Sequence, residues 1–267
     1  MNIHIRNGRL IDPANRLDAQ LDLFIADGKI VGVGNAPDGF AATRTINAGG
    51  LVVAPGLIDL AARLREPGFE YRATLESEMD AAMAGGVTSL AIPPDTDPVL
   101  DEPGLVEMLC YRAKKLNRAH VYPVGALTIG LKGEQLSEMA ELVEAGCVAF
   151  SQANTPILDT RVLSRAMQYA ATFGFRVWLQ PLDPYLARGG VAHDGEVASR
   201  LGLPGIPASA EIVALYTYLR LARQTGARLH ITRLSCAESL DLIEQARRDG
   251  VDVSCDVAAH HLHLCDM

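Results

Sequence analysis

Five glycines along the chain each follow a segment with helical periodicity and precede a run of apolar, often β-branched residues. They are Gly85, Gly146, Gly174, Gly226 and Gly250. Glycine is favoured just after a helix because it adopts a left-handed backbone conformation without a steric penalty. A helix, a glycine and a buried strand in repeated succession indicate crossover helices that join parallel strands. The chain is therefore predicted to form an α/β fold around a parallel sheet.

The predicted sheet has about seven strands. They lie at 51–60, 88–92, 119–126, 148–151, 176–180, 228–232 and 251–256. Helices are predicted between them at 73–84, 104–116, 133–145, 160–173, 209–225 and 237–248. Such a succession favours a TIM-type (β/α)8 barrel over a doubly wound sheet, and that barrel needs eight strands. Residues 51–267 are thus expected to form a barrel that is incomplete at its C-terminal side. Either the chain is a fragment or another chain supplies the missing strand.

Residues 1–50 follow a different pattern. Extended segments at 2–6, 20–25 and 29–33 are separated by turn sequences. Asp27-Gly28 stands between two of these segments, and this dipeptide is a strong signal for a two-residue hairpin turn. The first 50 residues are therefore predicted to form a small N-terminal β module.

Composition excludes several classes of function. The net charge of −8 and the pI near 5.4 argue against a nucleic-acid partner, which requires a clustered basic surface. No apolar run is long enough to span a membrane, and the first ten residues lack the apolar core of a signal peptide. The five cysteines are odd in number and scattered, which favours reduced thiols in a cytoplasmic protein.

Function in a barrel of this kind lies at the C-terminal ends of the strands. The first strand continues into Gly-Leu-Ile-Asp-Leu and then Leu-Arg-Glu-Pro-Gly within residues 56–68. Thr-Asp-Pro-Val follows at 96–99, Gly-Cys-Val-Ala-Phe-Ser at 146–151 and His-His-Leu at 260–262. In order and spacing these motifs resemble the dihydroorotases of the amidohydrolase superfamily. The resemblance implies an amidohydrolase barrel and zinc-dependent, reversible closure of N-carbamoyl-aspartate to dihydroorotate in pyrimidine biosynthesis.

The metal-ligand positions that the resemblance implies do not carry metal ligands in this chain. They are Ala61, Arg63, Gln152, Gln180 and Arg233. A methyl group cannot bind a cation, a guanidinium repels one, and glutamine is a poor ligand for zinc. No intact catalytic residue, no metal and no cofactor are therefore expected. The general-base aspartate that the resemblance places after the eighth strand falls outside residues 1–267.

Two substrate-binding positions differ in how well they fit the resemblance. Arg65 stands where the family pairs an arginine with a substrate carboxylate, and arginine suits such bidentate contacts. Asp95 stands where the family has an asparagine for the same carboxylate. Because two anions in contact repel, we expect Asp95 to weaken the binding of a dianionic substrate. Both residues are interpreted as remnants of a substrate site.

Arg63 and Arg233 allow two interpretations. They could form a new anion site, or they could pair with Asp59, Asp95 or Asp183 and fill the space of the lost cation. The second is favoured, with both guanidinium groups in the barrel mouth. Asp59 is expected to have a structural hydrogen-bonding role.

Two further histidine features have ordinary explanations. His230 precedes Arg233 by three residues, which predicts that it packs on the opposite face of its strand. Zinc-ligand residue types gather near the end of the chain, at Cys255, His260, His261, His263 and Cys265. Their spacing matches no zinc-finger pattern, and a metal site is not expected there.

Three hypotheses for function follow. The favoured one is a catalytically inactive dihydroorotase-like protein that is a structural partner of aspartate carbamoyltransferase, as in bacterial assemblies that contain such a homologue. The second is an active metal-dependent dihydroorotase or a related cyclic-amide hydrolase. The third is a non-enzymatic binder of a small anion through Arg63, Arg65 and Arg233. A homo-oligomer is also expected.

Overall fold

The structure is a computed structural model that describes residues 1–265. It divides into two compact units, the first comprising Met1–Leu57 and the second beginning at Ile58. Within the described residues, no helix is both long enough and apolar enough to cross a membrane.

The first unit contains seven short strands in two sheets. The strands are β1 (Asn2–Arg6), β2 (Arg9–Asp12), β3 (Leu17–Gln20), β4 (Leu23–Ala26), β5 (Lys29–Val33), β6 (Arg44–Asn47) and β7 (Val52–Val53). Their orders are β5-β4-β1-β6 and β3-β2-β7. The predicted hairpin joins β4 to β5, and Asp27 and Gly28 both have positive φ, 50° and 75°, as its tight turn requires.

The second unit begins the α/β repeat. Its strands and helices up to the fourth helix are β8 (Leu57–Asp59), α1 (Leu75–Ala84), β9 (Val87–Ile92), α2 (Pro103–Leu116), β10 (His120–Ala126), α3 (Met139–Glu144), β11 (Ala149–Ser151) and α4 (Thr160–Phe173). The remainder are β12 (Arg176–Leu179), β13 (Ala192–His193), α5 (Glu196–Leu201), β14 (Gly205–Ile206), α6 (Ser209–Thr225), β15 (Arg228–Ile231), α7 (Ala237–Arg248) and β16 (Val253–Cys255).

Seven strands of this unit form one sheet in the order β16-β15-β12-β11-β10-β9-β8. The strand pairs from β9 to β16 are parallel, as in the register Trp178 to His230 between β12 and β15. This curled parallel sheet with crossover helices confirms the predicted α/β barrel class.

The two faces of the sheet bury different side chains. Leu90 and Ile92 of β9 belong to the large core between strands and helices, whereas Ala91 between them packs with Val124 and Ala149 in a second, small cluster. Because side chains alternate along a strand, the small cluster marks the barrel interior. The helices supply the outer core, as α4 illustrates. Its residues Leu163, Ala166, Met167 and Ala170 are buried at helical spacing.

Three predicted elements have the wrong extent. The extended segment expected at 20–25 is divided between β3 and β4, with residues 21–22 outside both strands. The strand expected at 51–60 is interrupted around Pro55, which lacks a backbone donor, and only β7 and β8 remain. The helix expected at 133–145 shortens to Met139–Glu144. The preceding loop is instead fixed by Thr128, whose hydroxyl accepts a hydrogen bond from the Gly133 amide at 2.9 Å. The segment between β12 and α6, which contains β13, α5 and β14, was not predicted.

Candidate functional site

Arg63 and Asp95 form an ion pair where the first two barrel strands end. The Arg63 Nε lies 2.8 Å from Asp95 Oδ2, and both side chains are about three-quarters buried, at 25% and 27% exposure. The prediction that Arg63 pairs with an acidic residue in the barrel mouth is confirmed for this arginine. The carboxylate of Asp95 is therefore paired with the guanidinium of Arg63.

Asn154 connects Arg63 to Arg233. Its Oδ1 accepts hydrogen bonds from Arg63 Nη2 at 3.2 Å and from Arg233 Nη2 at 2.5 Å. Arg233 Nη2 also donates to Gln180 Oε1. These five residues, Arg63, Asp95, Asn154, Gln180 and Arg233, are called the mouth network below. A single neutral amide oxygen is thus shared by two positive charges.

Arg233 differs from the prediction in its partners. Its guanidinium bonds the two amide oxygens and reaches neither Asp59 nor Asp183 within the hydrogen bonds and ion pairs of residues 1–265. Burial and the nearby Arg63 lower the pKa of Arg233, and Asp256 and Asp95 oppose this only in part. The contact with Asp256 runs through the backbone, whose amide donates to Asp256 Oδ1 at 2.6 Å. The expected carboxylate partner for this guanidinium was wrong.

His230 lies in the barrel interior. Its ring is 5.2 Å from that of Trp178, which packs against the interior cluster, and its two nitrogens lie 2.9 Å from Ser254 Oγ and 3.0 Å from Asp256 Oδ2. The expectation of a packed histidine is met. The prediction that His230 and Arg233 lie on opposite faces of one strand assumed that the strand includes both residues. It does not, because β15 ends at Ile231 and Arg233 has a positive φ of 58°.

Ala61 and Gln152 lie outside the mouth network. Gln152 is 2% exposed, and its side-chain amide exchanges hydrogen bonds of 3.1 and 2.8 Å with the Thr128 hydroxyl. Ala61 offers only a methyl group, while its backbone amide donates to Asp59 Oδ1 at 2.8 Å. Asp59 therefore has a structural hydrogen bond, and the structure brings together three of the five implied ligand positions.

A cavity of about 430 Å³ opens beside the network. It is lined by Arg63, Leu64, Arg65, Phe69, Ile92, Pro93, Asp95, Thr96 and Asn154. Both predicted substrate-binding residues, Arg65 and Asp95, are among them. Three residues around the mouth, Arg65, Ala153 and Arg233, have positive φ values of 65°, 50° and 58°. Non-glycine residues adopt this conformation at an energetic cost, and such costs concentrate at functional sites.

The side chains at the implied metal positions do not fit a divalent cation. Two of them are guanidinium groups that already donate to neighbouring oxygens, and their charge would repel the ion. Within residues 1–265, no group of three or more histidine, cysteine, aspartate or glutamate side chains is arranged to hold a metal. The histidines near 260 and Cys255 are among these residues.

Asn154 and Asp256 were missed as site residues. No role was predicted for Asn154 from the sequence, and Asp256 was included only as the end of the strand predicted at 251–256. Both are polar residues at the C-terminal end of a barrel strand, which is the signal that could have found them.

Comparison with known proteins agrees with the motifs. The family described as dihydro-orotase-like matches residues 50–239. A "Dihydroorotase-like protein" of Pseudomonas aeruginosa is 50% identical over the whole chain, and a "Dihydroorotase" of Geobacter sp. strain M21 is 41% identical. The chain spans 63% of the length of each of these relatives.

Solved structures agree on the fold. L-hydantoinase from Arthrobacter aurescens superposes with a TM-score of 0.82 at 21% identity, covering 98% of this chain and 59% of the other. A D-hydantoinase structure gives a TM-score of 0.73 at 22% identity, covering all of this chain and 59% of the other. These likenesses support an amidohydrolase-type barrel. The family match over most of the sequence shows that the chain belongs to the dihydroorotase-like family.

Proposed function

We propose that the protein to which this chain belongs is a catalytically inactive dihydroorotase-like protein, and that it is a structural partner of aspartate carbamoyltransferase in pyrimidine biosynthesis. The observation that carries the proposal is the pair of guanidinium groups, Arg63 and Arg233, joined through Asn154 at the carboxyl ends of the barrel strands. The dihydroorotase reaction relies on a bound cation to activate water and polarise a carbonyl. Side chains that repel a cation cannot support that step.

The retained fold supports a structural role. The outer core between strands and helices is densely occupied by buried leucines, methionines and aromatic residues, so the helices present a stable outer surface. Partner contacts on outer helices need no chemistry in the barrel mouth. Relatives at 49–50% identity carry the name "Dihydroorotase-like protein", whereas those near 41% are named "Dihydroorotase". In this proposal the protein acts in the cytoplasm, where its cysteines stay reduced.

The first experiment separates this proposal from an active enzyme. Metal content and turnover of dihydroorotate are measured on the purified full-length protein. We expect no bound zinc and no turnover. One zinc ion per chain together with turnover would instead support the alternative, a metal-dependent cyclic-amide hydrolase.

The second experiment tests the partner. Full-length protein and aspartate carbamoyltransferase from the same cell are mixed and separated by size-exclusion chromatography. We expect them to elute together, and we expect Arg233→Gln to bind as well as the native protein because the mouth is not the docking surface. Separate elution of the native proteins would contradict the structural role.

A further inference from the structure

We infer that a cavity at the amino-terminal end of strand β10 binds a phosphate monoester that carries a planar ring. The cavity has a volume of about 440 Å³ and is lined by the last two turns of helix α2 and the first residues of β10. It is called the β10 cavity below. The mouth network lies at the opposite, carboxyl ends of the strands. The inference goes beyond the proposed structural role and does not depend on it.

The turn between α2 and β10 forms the cavity. Asn117, just after the helix, has a φ of 51°, and its amide donates to the Lys114 carbonyl at 3.2 Å. Asparagine is one of the few residues that adopt this left-handed conformation readily. The chain turns there, and His120 begins β10, which pairs in parallel with β9. The turn thus brings the basic end of a helix next to the start of a barrel strand.

The charge of the β10 cavity is positive. Among residues 1–265, no carboxylate side chain lines it, although the whole chain has a net charge of −8. Two cations line it. Arg118 pairs through Nε with Asp80 at 2.7 Å, whereas Lys114 has no ion pair or side-chain hydrogen bond within the described residues. The carboxyl end of α2 adds a partial negative charge of about half a unit, which is smaller than the full charge of Lys114. The cavity therefore attracts an anion.

The remaining walls are apolar or aromatic. Cys110, Ala113 and Val121 line the cavity and belong to the large core between strands and helices or pack against it. Burial raises the pKa of the Cys110 thiol, so the thiol stays neutral and adds no negative charge. The rings of His120 and Tyr122 also line the cavity, with their centroids 6.5 Å apart. A planar ligand ring packs favourably against such aromatic and apolar surfaces.

These walls select the class of ligand. A phosphate monoester has a charge of about −1.5 to −2 at neutral pH, which matches a cavity with two cations better than a single carboxylate does. The compact ammonium of Lys114 suits such a group as a point charge. The volume of about 440 Å³ lies in the size range of small-molecule sites, in which apolar walls surround a few polar groups. The cavity thus accommodates a ring on its apolar side and a phosphate beside the cations.

Isothermal titration calorimetry on the full-length protein tests the inference with phenyl phosphate, inorganic phosphate and phenol. We expect phenyl phosphate to bind more tightly than inorganic phosphate, and phenol to bind most weakly. Absence of heat from phenyl phosphate at millimolar concentrations would overturn the site. Inorganic phosphate that binds as tightly as phenyl phosphate would overturn the role of the ring.

Two variants locate the ligand. Lys114→Gln should weaken phenyl phosphate binding by roughly tenfold or more, because it removes a charged donor. Tyr122→Leu should lower the affinity for phenyl phosphate more than that for inorganic phosphate. Lys132→Gln is the matched control, since this exposed lysine follows the opposite end of β10, and it should leave both affinities unchanged. Equal losses in Lys114→Gln and Lys132→Gln, or no loss in either, would place the phosphate elsewhere.

Discussion

The two ends of the barrel strands each bring two arginines together, but around different acceptors. At the amino-terminal end, Arg176 and Arg228 both donate to the carboxylate of Asp252, with Arg228 Nε at 2.9 Å and Arg176 Nη2 at 3.3 Å. These three residues are called the floor network. At the carboxyl end, Arg63 and Arg233 share the neutral oxygen of Asn154. The geometry is similar, and the formal charge of the shared group differs by one unit.

This difference has opposite effects on ionisation. In the floor network, the Arg228 hydrogen bond and the charges of both arginines lower the pKa of Asp252, so the carboxylate is stabilised in its charged form. In the mouth network, it is the pKa of Arg233 that is lowered, by burial and by Arg63. Each network holds two arginines and one aspartate, but the carboxylate lies between both arginines at the floor and contacts only Arg63 at the mouth. The two ends therefore differ in the acceptor that the arginines share, a carboxylate at the floor and a neutral amide at the mouth.

The largest effect is expected from removing the shared acceptor of the mouth. Asn154→Ala leaves two guanidinium groups close together without their common oxygen, and hydrogen bonds to charged groups are worth more than neutral ones. Because Asn154 is exposed, solvent offsets part of the loss. We expect the free energy of unfolding to fall by about 1 to 2 kcal/mol, measured by urea denaturation. Thr155→Ala, at the exposed neighbouring position, should cost much less. Equal losses in the two variants would mean that the shared contact contributes nothing.

The next largest effect is expected from giving the mouth network a shared carboxylate like that of the floor network. Asn154→Asp places a carboxylate between Arg63 and Arg233 at the same position. We expect the free energy of unfolding at neutral pH to rise by about 1 kcal/mol, since two ion pairs replace two hydrogen bonds to a neutral group.

Denaturation at high salt provides the control for Asn154→Asp. The gain should shrink as salt screens the new ion pairs. If the variant were less stable than the native protein at neutral pH, the amide group of Asn154 would contribute more to the free energy of unfolding than charge neutralisation does.

The fold was accessible from the sequence because it depends on repetition. Helices α4, α6 and α7 begin and end where the periodicity and the following glycines or charged residues place them. The predictions that were wrong concern local features of single segments. Pro55 interrupts a run that otherwise resembles one strand, and the loop before α3 is ordered by the hydroxyl of Thr128, a contact that no periodic pattern contains.

The site was predictable to a smaller extent. The sequence shows which residues stand at the five positions that the resemblance implies as metal ligands, at 61, 63, 152, 180 and 233, and it predicted the pairing of Arg63 with an acid. The role of Asn154 was not predictable, because it depends on the left-handed conformation of Ala153, which lets the chain turn after β11. The partner of Arg233 was missed for the same reason, since its own positive φ directs the side chain towards Gln180.

The reverse exchange at the floor should have a smaller effect. Asp252→Asn gives Arg176 and Arg228 a neutral shared acceptor, as in the mouth. Asp252 is 53% exposed, so solvent screens its ion pairs, and we expect a loss of about 0.5 kcal/mol at neutral pH. Asp241→Asn, at an exposed position on α7, is the matched control. A loss as large as that of Asn154→Ala would contradict the view that screening weakens the floor.

The smallest effect is the pH dependence that distinguishes the two ends. The pKa of Asp252 is lower in the folded protein than the usual value near 3.8, so its contribution is present above that value. The contribution is lost as the pH falls through the lower folded-state pKa, because the carboxylate must then be protonated.

Since other aspartates also titrate, the informative quantity is the difference in unfolding free energy between native protein and Asp252→Asn. It should shrink between about pH 5 and about pH 2. The corresponding difference for Asn154→Ala should change less across that range, because the contacts that this variant removes involve no carboxylate. If both differences disappeared together in acid, the contacts of Asn154 would depend on a carboxylate as those of Asp252 do, and the contrast between the two shared acceptors would fail.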